Sequence, residues 1–187
     1  KVEVKLEDVN IDASSRVNPS ATTLNDTSYA AVNVTGKGDT NIELDGDNEL
    51  KSGGYNAGLE KDGHEPEGTL TIKDDKGKDG SLTAEGGDGG GAGIGGGQGG
   101  AGEKLYFYSG TIQATSDRFA SGIGGSYEGR GSEIYIYGGT VSAQGGEGGA
   151  GIGGGCWKTE QDMNGINAAH DIYISGGTVT AKGGYHG

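Results

Sequence analysis

The chain has 187 residues, of which 44 are glycine and only 30% are hydrophobic, and its formal charge is −13. No apolar run approaches the ~18 residues of a membrane helix, one cysteine allows no intrachain disulfide, and two prolines without a Gly-X-Y period exclude collagen. The acidic balance also argues against nucleic acid and against an anionic membrane surface, because both need a basic footprint.

Low hydrophobicity with high net charge is a signature of disorder. Internal repetition argues against it here. In chain order, Val4-Lys5-Leu6 is the first alternating segment, and Ile11 follows. After a polar stretch over 14–29 comes Ala30-Ala31-Val32. Ile42-Glu43-Leu44, Leu50 and Ala57-Gly58-Leu59 repeat the order, as do Leu70-Thr71-Ile72, Leu82 and Ala92-Gly93-Ile94. The next copies are clearer: Leu105-Tyr106-Phe107, Thr111-Ile112-Gln113-Ala114 and Ser121-Gly122-Ile123. Ile134-Tyr135-Ile136, Thr140-Val141-Ser142-Ala143 and Ala150-Gly151-Ile152 follow. Ile172-Tyr173-Ile174 and Thr178-Val179-Thr180-Ala181 come last. From Leu59 onward, the Leu/Ile of the Gly-rich segment recurs at 35, 29 and 29 residues.

Alternation of apolar and polar residues marks half-buried strands. Glycine pairs such as Gly138-Gly139 supply corners, and no stretch carries a helical stripe. Three short strands per ~29-residue unit describe one turn of a parallel β-helix. We therefore expect an all-β, single-stranded, right-handed parallel β-helix of about six rungs over 1–187. Like residues should stack on like at ~4.8 Å. The expected ladders set Ile42 over Leu70 and Leu50 over Leu82. Small alanines fill the corners, and Gly93, Gly95, Gly122, Gly124, Gly151 and Gly153 form a bare outer wall. Lys1 begins almost inside a strand, and 183–187 stops where another Ala-Gly-Ile strand is due. The expectation is a segment of a longer chain.

The segments EIYIYGGTVSAQGGEGGAGIGGG (133–155) and DIYISGGTVTAKGG (171–184) carry a resemblance. They are similar to the Gly-rich β-helix repeats of large surface proteins of Gram-positive gut bacteria. The resemblance implies an extracellular location on a bacterial surface and an adhesin-like role. Some members of that group are carbohydrate-binding modules, and a subset resembles immunoglobulin-binding B-cell superantigens.

Sites for chemistry are sparse. Two matches to a dinucleotide fingerprint, at Gly91/Gly93/Gly96 and Gly149/Gly151/Gly154, lack the helix such a motif needs. Asp88, Asp117 and Glu147 fall in equivalent positions of neighbouring rungs and suggest an acidic edge, with no full oxygen cage for calcium. His64, His170 and His186 lie in unrelated segments, and Cys156 has no positioned base. No enzyme, resident metal or cofactor is expected. The Thr/Ser columns over 81–83, 111–113, 140–142 and 178–180 fit the β-propensity of threonine.

The outward residues are more informative. With Leu105, Phe107, Ile134, Ile136, Ile172 and Ile174 inside, Tyr106, Tyr135 and Tyr173 point out on successive rungs, with Tyr108 and Tyr137 beside them. Exposed tyrosine suits binding surfaces. An insertion near 156–167 holds Trp157, Lys158 and Met163, including the only Trp and the only Met. Arg118 and Phe119 form a lesser protrusion. These ten residues are the expected contacts with a host protein, immunoglobulin leading by resemblance. The alternative ligand is a polysaccharide, held with or without calcium.

Overall fold

The computed structural model describes residues 1–15, 28–61, 67–77, 79–97, 99–156 and 169–185. The described residues form seventeen β-strands and no helix. Sheet A holds β1 (Val2–Glu7), β4 (Thr40–Asp45), β7 (Leu70–Lys73), β10 (Gly102–Phe107), β13 (Gly131–Ile136) and β16 (His170–Ile174). Sheet B holds β2 (Asn10–Asp12), β5 (Asp47–Lys51), β8 (Ser81–Glu85), β11 (Thr111–Thr115), β14 (Thr140–Gln144) and β17 (Thr178–Lys182). Sheet C holds β3 (Val32–Val34), β6 (Leu59–Lys61), β9 (Ile94–Gly95), β12 (Ile123–Gly124) and β15 (Ile152–Gly153).

Every strand pairs in parallel with its counterpart one rung away, for example Ile123 with both Ile94 and Ile152. The chain thus winds as a right-handed parallel β-helix of five full turns and a further pair of strands. Alternation puts one side of each strand inside. Leu59, Ile94 and Ile123 line one wall, Leu70, Leu105 and Ile134 the next, and Leu82, Ile112 and Val141 the third, all fully buried. Ala57, Ala92, Ala114, Ala120 and Ala143 fill the spaces between them. The result is a thin core continuous along the axis, which suits a chain so poor in apolar residues.

Two rungs depart from the expected register. Ile42 lies over Ile72, not Leu70, and Leu50 lies over Ala84, not Leu82. Both shifts are two residues, so every side chain keeps its face. Hydrophobic alternation therefore fits either register equally well. The cause is the corner after β4, where Gly46 alone separates it from β5. That corner is closed from inside by Asn48, which is 2% exposed and occupies the column of Leu82. Its amide donates to the carbonyls of Asp45 (3.1 Å) and Ser81 (3.0 Å) and accepts from Val9 N–H (3.0 Å). A buried amide with its partners in place costs little. Leu44, freed by the shift, reaches over the corner glycines Gly80 and Gly110.

The glycine wall is not bare. Gly93, Gly95, Gly122, Gly124, Gly151 and Gly153 are buried. Sheet C strands are mostly two or three residues long, and the chain folds back at once. A Cβ on Gly124, whose φ is +127°, would stand 2.1 Å from Gly153 O. Only glycine lets consecutive rungs approach this closely. The acidic edge is also displaced by one step, since Arg118, not Asp117, bridges to Glu147.

Ile136 is fully buried in the next-to-last strand of sheet A, between Phe107 and Ile174. Ile136→Asp should cost at least ~3 kcal/mol, because it places an unpaired charge between apolar rungs. Urea denaturation followed by circular dichroism checks this; an unchanged midpoint would refute the stated register.

Candidate binding surface

The outer face of sheet A collects the tyrosines. Register sets Tyr106 beside Tyr135 and Tyr135 beside Tyr173. Their rings stack with centroids 4.7 and 5.1 Å apart and planes within 12° and 6° of parallel. Tyr108 and Tyr137 form a second column, with ring centroids 4.8 Å apart. Tyr135 and Tyr137 link the columns at 6.3 Å. The separation matches the strand spacing, so the in-register ladder brings the rings into stacking distance without displacing the backbone. Within the ladder each ring covers its neighbour's face. Ring edges and hydroxyls are what solvent meets. Tyr173, Tyr108 and Tyr137 are 53%, 49% and 43% exposed, while Tyr106 and Tyr135 are half-buried.

The flank of the ladder is charged. Lys104, Glu133 and Asp171 stand at equivalent positions with left-handed φ of 56°, 52° and 55°. The pairing skips them, running from Glu103↔Ser132 to Leu105↔Ile134 and from Ser132↔His170 to Ile134↔Ile172. Each strand therefore kinks at this residue, two before its tyrosine, and because each of these rungs carries one the register is kept. His170 Nδ1 lies 2.9 Å from Asp171 Oδ2, and Arg130 Nε donates to Glu103 at 2.9 Å. Burial under neighbouring rings, then the nearby Tyr135 phenol and Glu133 carboxylate, pushes the Tyr106 phenol above its ordinary value. Burial and Glu133 do the same to Tyr135. These phenols stay neutral at physiological pH and remain hydrogen-bond donors.

Toward the N-terminal rungs the same wall turns polar. Tyr106 is followed in its column by Thr71 and then Asn41. Tyr108 N–H donates to Ile72 O at 3.0 Å, which sets Tyr108 over Lys73, and Glu43 and Lys5 follow. A depression of about 410 Å³ opens here, with Tyr108, Asn41, Thr71, Lys73, Asp39 and Asp75 in its lining. Lys73 Nζ pairs with Asp75 at 2.5 Å and with Glu43 at 3.4 Å. Glu43 is buried and also accepts the Asp75 and Lys76 N–H groups. The sequence reading missed this depression. In the expected register Glu43 stood over Thr71, which separates it from Lys73.

The remaining expected contacts lie elsewhere. Arg118 and Phe119 sit between β11 and β12, away from sheet A. Phe119 is half-buried against Tyr127, ring centroids 5.5 Å apart, and its carbonyl accepts Cys156 N–H at 2.7 Å. Trp157, Lys158 and Met163 lie outside the described residues, as do His64 and His186. Cys156 Sγ donates to Glu147 O at 3.5 Å, and burial pushes its thiol up, the opposite of an activated nucleophile.

A family model described as "Beta helix repeat" matches residues 78–98, 108–127, 134–156 and 172–187. The chain therefore carries a β-helix repeat region over its regular later rungs. No curated protein and no solved structure matches it.

The raised phenols make stability depend on alkaline pH. The folded chain holds these protons more tightly than the unfolded chain. Their contribution is complete below about 10, the ordinary tyrosine value. It is lost as pH rises through the folded values, and for Tyr127, pushed up to about 12 by burial and by Glu128, the loss continues to that point. The urea midpoint should fall from pH 10 upward, and Tyr106→Phe with Tyr135→Phe should lessen the fall.

Proposed function

We propose that this β-helix repeat region is a non-catalytic binding module whose sheet A wall docks onto a protein partner. The supporting observation is the tyrosine ladder, with rings stacked 4.7–5.1 Å apart and edges and hydroxyls turned outward. A tyrosine edge offers apolar area and a donor together, and a ring locked between two others loses little entropy on docking. Tyrosine is also enriched at the energetic centres of protein interfaces. Strands in regular register make the wall flat and rigid, which suits the ~800 Å² per partner of a specific complex. Glu133 and Asp171 beside the C-terminal part of the ladder favour a partner with basic residues facing them, while Lys104 and the Arg130–Glu103 pair flank its other part.

The partner we propose is a host protein met outside the cell by a bacterial surface protein. Immunoglobulin is the first to test, on the strength of the resemblance of 133–155 and 171–184. A polysaccharide stacked rung by rung along the ladder is less well supported, because the inner ring faces are already covered by one another.

Immobilised chain should retain immunoglobulin from serum, with or without chelator. Tyr135→Ala, at the middle of the first column and 6.3 Å from Tyr137 of the second, should weaken that binding by ~2 kcal/mol, roughly 30-fold. Surface plasmon resonance on a variant with wild-type circular dichroism checks this. Unchanged affinity would remove the ladder from the interface.

A further inference from the structure

The second tyrosine column is a pair. Tyr108 and Tyr137 stack with ring centroids 4.8 Å apart and planes 28° from parallel. Beyond them the column continues from Tyr108 to Lys73 and from Tyr137 to Ser175. Neither phenol is sandwiched between two rings of its column, whereas Tyr135 stacks on both Tyr106 and Tyr173. Tyr108 and Tyr137 are also 49% and 43% exposed. Two phenols on successive rungs are thus held ring against ring with their edges in solvent.

We propose that Tyr108 and Tyr137 are a site of oxidative modification, joined to each other as dityrosine by a haem peroxidase acting with hydrogen peroxide. Each phenol gives up one electron and one proton and becomes a phenoxyl radical. The unpaired electron lies in the π system, on the oxygen and on the carbons ortho and para to it. Two ortho carbons bond through facing π lobes, which is the contact that stacking provides. Each coupled carbon then releases its hydrogen as a proton and its oxygen takes one up, which restores both aromatic rings and both hydroxyls. Overall, two C–H bonds are exchanged for one C–C bond. The two protons and two electrons released reduce one hydrogen peroxide to two waters.

Radicals on separate chains must first meet before they couple. Here the partners are already in contact, and proximity of this kind raises the local concentration by orders of magnitude. The finished link requires the two rings to swing out of their stack. Tyr108 and Tyr137 have that freedom, because their outer neighbours are an unbranched lysine chain and a small serine, and their edges meet water. Tyr135, stacked on both sides, does not. The link ties the fourth strand of sheet A to the fifth, and such a closed loop restricts the unfolded chain. This site does not rest on the protein-docking reading, since the coupling needs no partner on the wall.

Treatment of the full chain, kept dilute, with a haem peroxidase and limiting hydrogen peroxide tests it. Dityrosine fluorescence should appear in species of monomer size. The intact mass should fall by two hydrogens, peptide mapping should join the peptides of Tyr108 and Tyr137, and the urea midpoint should rise. Tyr108→Phe and Tyr137→Phe keep a ring in the stack and remove the phenol, and each should lower the monomer signal about tenfold or more. Tyr185→Phe should leave it unchanged, although Tyr185 is 78% exposed. Dityrosine that is absent, or confined to dimers and larger species, overturns the proposal. A monomer signal that survives both Tyr108→Phe and Tyr137→Phe overturns it as well.

Discussion

Close approach of identical backbones is the constraint from which the rest of this molecule follows. Sheet C strands of two residues leave no room for a side chain between one rung and the next. A Cβ on Gly93 would meet Thr115 N at 2.5 Å, and one on Gly131 would meet Gly153 O at 2.1 Å. Glycine at these points lets the chain turn twice within a few residues and return in register. Once the rungs are locked at strand spacing, every other column is locked too. Leucine lands on leucine inside, and tyrosine lands on tyrosine outside. The abundance of glycine that suggests disorder by composition is thus what permits an ordered stack.

Much of this was legible because a solenoid writes its contacts into the sequence period. Ile94, Ile123 and Ile152 occupy one column, as their spacing implied, and the tyrosine columns form as the outward positions implied. The register of the early rungs was not legible. A two-residue shift preserves inside and outside, so Ile42 over Leu70 and Ile42 over Ile72 are equally good by hydrophobicity. The choice is made by a corner. Asn48 is polar yet sits in an apolar column, because its amide donates to the Asp45 and Ser81 carbonyls and accepts the Val9 N–H, which satisfies it inside the corner at Gly46. A polar residue in a core position was the available signal. The same shift brings Glu43 beside Lys73 and shapes the depression, which is why the depression was hidden as well.

The glycine wall shows a different limit. Alternation assigns Gly93, Gly122 and Gly151 to the outer face, but outward is not the same as exposed. Without side chains the wall is covered by the backbone of the segments that leave it. Composition alone cannot separate a surface kept open for a partner from one closed by the chain itself, and here close packing wins. Phe119 illustrates the same point, since its ring is turned onto Tyr127.

Function on such a scaffold depends on where a column changes character. Inside a run of tyrosines the ring faces are spent on one another, and the surface is a comb of edges and hydroxyls. Where the run ends, the next residue in the column is polar. Sheet A makes that transition between Tyr106 and Thr71 and between Tyr108 and Lys73, where the depression lies, and again between Tyr137 and Ser175. The inward residues on both sides continue without change, from Ile72 through Phe107 to Ile136. The core therefore does not constrain what the outer column carries. A repeat that fixes its interior by period leaves its exterior free to place a flat aromatic wall next to a polar hollow, and the two can be altered separately without disturbing the stack that holds them.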